Sequence, residues 1–271
     1  MKKKTLLSVL VLLLVYTQHA STQQYDPESD FRVTTAADGK SVEIISYVGK
    51  KQTVNIPPRI NNLPITGIGE KVFYEMNITN VILPANLISI GNSAFTNCKG
   101  FTNINFPTGL ESIGRNAFFG TNLSAVTIPP SVRFIGEGAF SSSNLVSVTF
   151  PSSVASIGDN LFMFCTYLTD VTIQSGVISI GDNAFSICEK LTAVNIPSSV
   201  TSIGYGAFWA CRSITSITIP SGVAAMGENV FYGWSSSQAI IIEGHANQAS
   251  ADRAWGADWR KDCNARIIYQ G

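Results

Sequence analysis

The chain has 271 residues, no net formal charge, and only 13% charged against 45% hydrophobic residues. With no basic run beyond the first few residues, this composition argues against nucleic acid and against an anionic membrane surface as partners. Of its two histidines one stands at position 19, which leaves no material for a multi-histidine zinc centre or a histidine-based triad in the body of the chain.

In chain order, Lys2, Lys3 and Lys4 precede an apolar run from Leu6 to Val15, and cleavage after Ala20 or Ser21 would complete a secretory signal over residues 1–21. The run is too short for a membrane span. The reading is therefore an exported chain, secreted or at the cell surface, with no membrane insertion once the signal is removed. Three lysines leave with it, so 15 basic and 18 acidic residues remain.

Residues 22–67 read as an N-terminal cap. Phe31–Thr34 and Ser41–Ile45 alternate around Ala37-Asp38-Gly39-Lys40, a hairpin signal. Thr53-Val54-Asn55-Ile56-Pro57 looks like a first, degenerate repeat strand. Asn61-Asn62-Leu63-Pro64 reads as a loop inserted before the regular pattern begins.

Residues 68–242 form the body. An anchor residue recurs at Ile68, Ile90, Ile113, Ile135, Ile157, Ile180, Ile203 and Met226, in steps of 22 or 23. Each is followed by Gly, and five residues later by Phe. A period of this length means a solenoid, in which each repeat buries its core against its neighbours. The segment Leu191-Thr192-Ala193-Val194-Asn195-Ile196-Pro197 and its copies alternate as a strand and end on Pro, which cannot donate a ladder hydrogen bond. Copies reached through a full coil must pair in parallel.

The recurring Phe predicts a stacked aromatic spine. Acids at Glu70, Glu137, Asp159, Asp182 and Glu228 predict the starts of short helical turns. Each Gly predicts a tight or positive-φ backbone. Cys98, Cys165, Cys188 and Cys211 lie eight residues after their anchors and read as small buried side chains. Asn77, Asn122 and Asn144, in shorter copies, read as an alternative to Cys at the same corner. Residues 243–271 read as a C-terminal cap, with Trp255 and Trp259 on a short amphipathic helix and Arg266–Tyr269 as a last strand.

The motif Ile-Gly-x-x-Ala-Phe-x-x-Cys-x-x-Leu-x-x-Val-x-Ile-Pro-x-x-Val is met almost fully at 90–110, 157–177, 180–200 and 203–223. In these residues the chain resembles the treponemal-type, BspA-like leucine-rich repeat proteins. The resemblance implies a leucine-rich-repeat solenoid: a β-rich right-handed coil, a parallel sheet on its concave face, short helical turns and loops on the other side, and a cap at each end. It also implies an exported or surface protein with an adhesin-like role. The family has no shared catalytic residues to carry over. Gln174 in place of Pro and Met226 in place of Ile depart from the motif.

Two surfaces are candidate binding sites. One is the polar position between Val and Ile of each strand: Thr127, Thr149, Thr172, Asn195 and Thr218. A flat ladder of this kind suits docking. The other is a set of aromatics after the core Phe: Tyr74, Phe119, Trp209 and Tyr232, with Tyr167, Tyr205 and Trp234 nearby. Tyr205, Trp209, Tyr232 and Trp234 form the densest group. No catalytic residue, metal site or cofactor is expected. The expected function is non-covalent binding of an extracellular protein or glycan. The alternative is a structural envelope or matrix protein that self-associates without a specific ligand. The oligomeric state is left open.

Overall fold

A computed structural model describes residues 24–271; the predicted signal, residues 1–21, lies outside the described residues. The body is a parallel β-solenoid whose coils are stitched together along three lines, of which the strand line and the anchor line are interrupted in places. The first is the strand at Val-x-Ile, seen at Ser147–Phe150, Asp170–Ile173 and Ala193–Asn195, which pair in parallel and in register. The second runs through the anchors as two-residue strands, with Ser89↔Ser112 and Ile90↔Ile113 side by side. No alternation marks a two-residue strand, so this ladder is invisible to pattern reading.

The third line is a turn, not a helix. Three and seven residues after each anchor the backbone takes positive φ, as at Asn183 (53°) and Ile187 (61°). The amides at Asn183, Phe185 and Ile187 then reach the carbonyls of Tyr205, Ala207 and Trp209 in the next coil. This corrects the expected helical turn, and with it the expected role of the acids. Asp159 accepts the amide of Asp182 at 2.8 Å, and Asp182 accepts that of Tyr205 at 2.7 Å. The carboxylates tie coils together rather than cap helices. The Gly after the anchor answers to close approach: a Cβ on Gly204 would sit 2.6 Å from the backbone of Gly181 and Asp182.

The core is one aromatic column. Ring centroids from Phe73 through Phe95, Phe118, Phe140, Phe162, Phe185 and Phe208 to Phe231 lie 5.0–6.1 Å apart, near parallel. Such pairs contribute about 0.5–1.5 kcal/mol each beyond area burial. Both ends are closed. Tyr47, on the hairpin strand Val42–Tyr47, covers Phe73 at 5.3 Å. Trp259, fully buried, meets Phe231 edge-on at 6.1 Å.

The caps depart from the sequence reading at two points. Trp259, expected with Trp255 on one helix, lies beyond its end at Gly256 on a 3-10 turn, Ala257–Arg260, and the stretch Asn61-Asn62 is not a plain loop. Phe31–Thr35 pairs antiparallel with Val42–Tyr47, and Arg266–Gln270 adds in parallel to Ala239–Glu243. A helix at Gln248–Trp255 carries Trp255, whose indole donates to the Val223 carbonyl at 3.1 Å. The second departure, Asn61-Asn62, is at the N-terminal end. It is the turn of a second hairpin, Arg59–Ile60 against Leu63–Ile68, with φ of 51° and 65°. Asn is the residue after Gly that best tolerates both positive φ values.

Candidate functional site

The position six residues after the anchor faces outward on the turn line. In three coils it holds Thr96, Ser141 and Ser186, all buried. Thr96 donates its hydroxyl to the carbonyl of Asn116 at 2.6 Å, and Ser141 to that of Met163 at 2.8 Å. In the last two full coils the same position holds Trp209 and Tyr232. Neither side chain tucks in; both are half-buried, and their rings stack at 4.1 Å and 25°.

The backbone fixes this pair. Trp209 and Tyr232 each close a turn onto Gly206 and Asn229, at 2.9 and 3.1 Å, and Trp209 also accepts the Ile187 amide at 2.8 Å. Gly206 has φ of 57°, and a Cβ there would lie 2.6 Å from Asn183 Oδ1 but only in ordinary contact, 3.4 Å, with the Trp209 ring. Tyr205 stands beside it, exposed, with its ring 6.3 Å from that of Trp209. Its amide is held by Asp182, so the carboxylate line ends by positioning this residue. Tyr205, Trp209 and Tyr232 thus form one continuous aromatic surface across two coils.

Trp234 does not belong to it. It stands eight residues after Met226, the position of the cysteines, and is 1% exposed. Its indole donates to the Phe208 carbonyl at 2.9 Å. The thiols do the same: Cys98, Cys165, Cys188 and Cys211 reach the carbonyls of Phe73, Phe140, Phe162 and Phe185 at 2.9–3.2 Å. All four are free, and burial pushes Cys98 and Cys165 up to about 11, Cys211 up to about 12 and Cys188 well above its usual value. They are protonated donors, not nucleophiles. In the shorter copies Thr121 and Ser143 take this buried place, not Asn. Asn122 and Asn144 lie one residue on, outside, where Asn122 bonds the Lys99 carbonyl and Asn144 bonds Asn122.

The other candidates are dispersed. Phe119 is half-buried but flanked by Thr96 and Ser141 in the adjacent coils, far along the solenoid from Trp209. Tyr167 is exposed on another corner, with the Lys190 ammonium 4.5 Å from its ring centroid, a contact no sequence pattern announced. Thr127, Thr149, Thr172, Asn195 and Thr218 are all exposed on the strand line, and Thr149, Thr172 and Asn195 are in register. They form a ladder separate from the aromatic surface.

The model of the BspA type leucine rich repeat region matches residues 66–174 and 155–252, in six copies. The chain belongs to this family. Among solved structures it is similar to a T. pallidum leucine-rich repeat protein, at 27% identity over 62% of this chain and 91% of that one, with a TM-score of 0.53. A leucine-rich repeat protein from Eubacterium ventriosum ATCC 27560 is 19% identical over 89% of this chain and 82% of its own, with a TM-score of 0.51, and supports the fold. A comparison with curated proteins finds no match. No helix among the described residues is long and apolar enough to cross a membrane.

Proposed function

We propose that this family member is an exported interaction protein that binds an extracellular protein or glycan without covalent chemistry, through the surface of Tyr205, Trp209 and Tyr232. The observation that carries the reading is the Trp209–Tyr232 pair, two aromatics stacked on successive coils at a position where three other coils put small, buried hydroxyls. Trp and Tyr dominate the energy of interaction surfaces, because they cover much area at little entropic cost. Rings already locked against each other need no reordering on binding. The exposed ladder from Thr127 to Thr218 is a second, flatter surface that the same ligand can extend onto only by wrapping around the coil. The signal-like N-terminus supports export.

The test is binding of residues 22–271 to an array of extracellular-matrix proteins and glycans, alongside sedimentation over a range of concentrations. A saturable hit with a monomeric protein supports the reading. Self-assembly at micromolar concentration with no hit favours the structural alternative.

A further inference from the structure

The anchor ladder is broken at one junction. At six of the seven junctions between successive anchored coils, two amides cross: those of Ile178 and Gly181 reach Ala155 and Ile157 at 2.7 and 2.8 Å, and those of Arg133 and Gly136 reach Glu111 and Ile113 at 2.9 and 2.8 Å. Between the Ile135 and Ile157 coils neither equivalent bond forms, and the sheet divides there into two. The coils stay joined along the turn line, where Gly138, Phe140 and Ser142 donate across at 2.8–3.2 Å, and on the strand line, where Ala125 bridges Ser147. The opening is therefore local. Gly158 confirms it: a Cβ there would meet nothing nearer than 3.5 Å, whereas on Gly136 one would lie 2.4 Å from the coil before.

The gap is a cleft of about 370 Å³ lined by Arg133, Phe134, Ser156, Gly158 and Asp159 among others. That volume falls at the lower end of the usual range for small-molecule pockets, roughly 300–1,000 Å³. Phe134 replaces the Ser that Ser89, Ser112, Ser156, Ser179 and Ser202 provide in this column, and is 59% exposed. The lining offers donors at the Ala155 and Gly158 amides, acceptors at the Arg133 and Ile135 carbonyls, the Arg133 side chain, and Asp159 Oδ2, its Oδ1 being taken by the Asp182 amide. Glu137 is committed to Arg115 and Asn160. The charges of Arg133 and Asp159 cancel.

We propose that this cleft is a second binding site, for a neutral saccharide. A pyranose presents an apolar C–H face to an aromatic ring, and hydroxyls that both donate and accept, which is what the unpaired ladder groups require. The site shares no residue with the aromatic surface of Tyr205, Trp209 and Tyr232, so either can fail alone.

The test is saturation-transfer NMR on residues 22–271 with lactose, maltose and N,N′-diacetylchitobiose, together with amide exchange. At least one probe binds with a Kd of about 1 mM or tighter and slows exchange at Ala155 and Gly158. Phe134→Ser, which restores the column's usual residue, weakens binding tenfold or more, and Trp209→Ser with Tyr232→Ser leaves it unchanged. The proposal is overturned if no probe binds, if Phe134→Ser binds as well as wild type, or if binding follows Trp209 instead. Should Phe134→Ser not fold, Arg133→Ala and the exchange pattern of the wild type decide.

Discussion

Trp209 and Trp234 show what separates the inside of this solenoid from its outside. One stands six residues after its anchor, the other eight, and they face opposite ways. At the inner position seven coils out of eight carry a side chain able to donate a hydrogen bond: Cys98, Thr121, Ser143, Cys165, Cys188, Cys211 and Trp234. At the outer position the chain carries Tyr74, Thr96, Phe119, Ser141, Met163, Ser186, Trp209 and Tyr232. A buried carbonyl lacking a partner is costly, so packing constrains the first column. At the second, small hydroxyls bond the next coil while larger side chains reach the surface, which leaves it freer to vary with function.

The comparison breaks most visibly at the spine. Phe185→Ala removes a ring stacked between Phe162 and Phe208, at 5.6 and 5.5 Å, and should cost about 3–5 kcal/mol in denaturant unfolding followed by circular dichroism. At the inner column Trp234→Phe keeps the bulk but removes the indole donor to Phe208, and should cost about 1 kcal/mol on the same assay. Serine replacing Trp209 or Tyr232 breaks a half-buried stacked pair and should cost about 0.5–1.5 kcal/mol, the worth of one aromatic contact.

Alkaline titration sharpens the same contrast. Burial raises the four inner thiols above the ordinary 9.0, to about 11 for Cys98 and Cys165 and about 12 for Cys211. Between these values the folded chain holds protons that the unfolded chain has released. Stability is therefore full below pH 9 and falls as pH rises from about 9 to about 12. Replacing all four cysteines by serine should flatten this decline in thermal melts. The smallest expected effect is at the carboxylate line. Asp182→Ala loses one exposed bond to the Tyr205 amide, costs about 0.5 kcal/mol of stability, and weakens ligand binding by only a few-fold by loosening that ring.

The period of anchor, Gly and Phe made the solenoid, the aromatic spine and both caps legible, because each repeats or ends a pattern. What escaped was the hydrogen bonding between coils away from the Val-x-Ile strands. Two-residue strands carry no alternation, so the anchor ladder and its break at Phe134 left no periodic trace. Acids that accept amides 23 residues away look, within one repeat, like helix caps. Trp234 resembled its aromatic neighbours by composition, and only alignment to the cysteine column would have moved it inside. Trp209 and Tyr232 were readable together because both replace small polar residues at one repeat position.

The most direct measurement of the account is paired: stability and ligand binding of Trp209→Ser with Tyr232→Ser against Trp234→Phe, on the array component that binds wild type. The outer variant is expected to lose binding tenfold or more with only a modest drop in melting temperature, and the inner variant to bind normally although it melts lower. An outer variant that binds like wild type, or a binding loss that tracks melting temperature in both, would contradict the account.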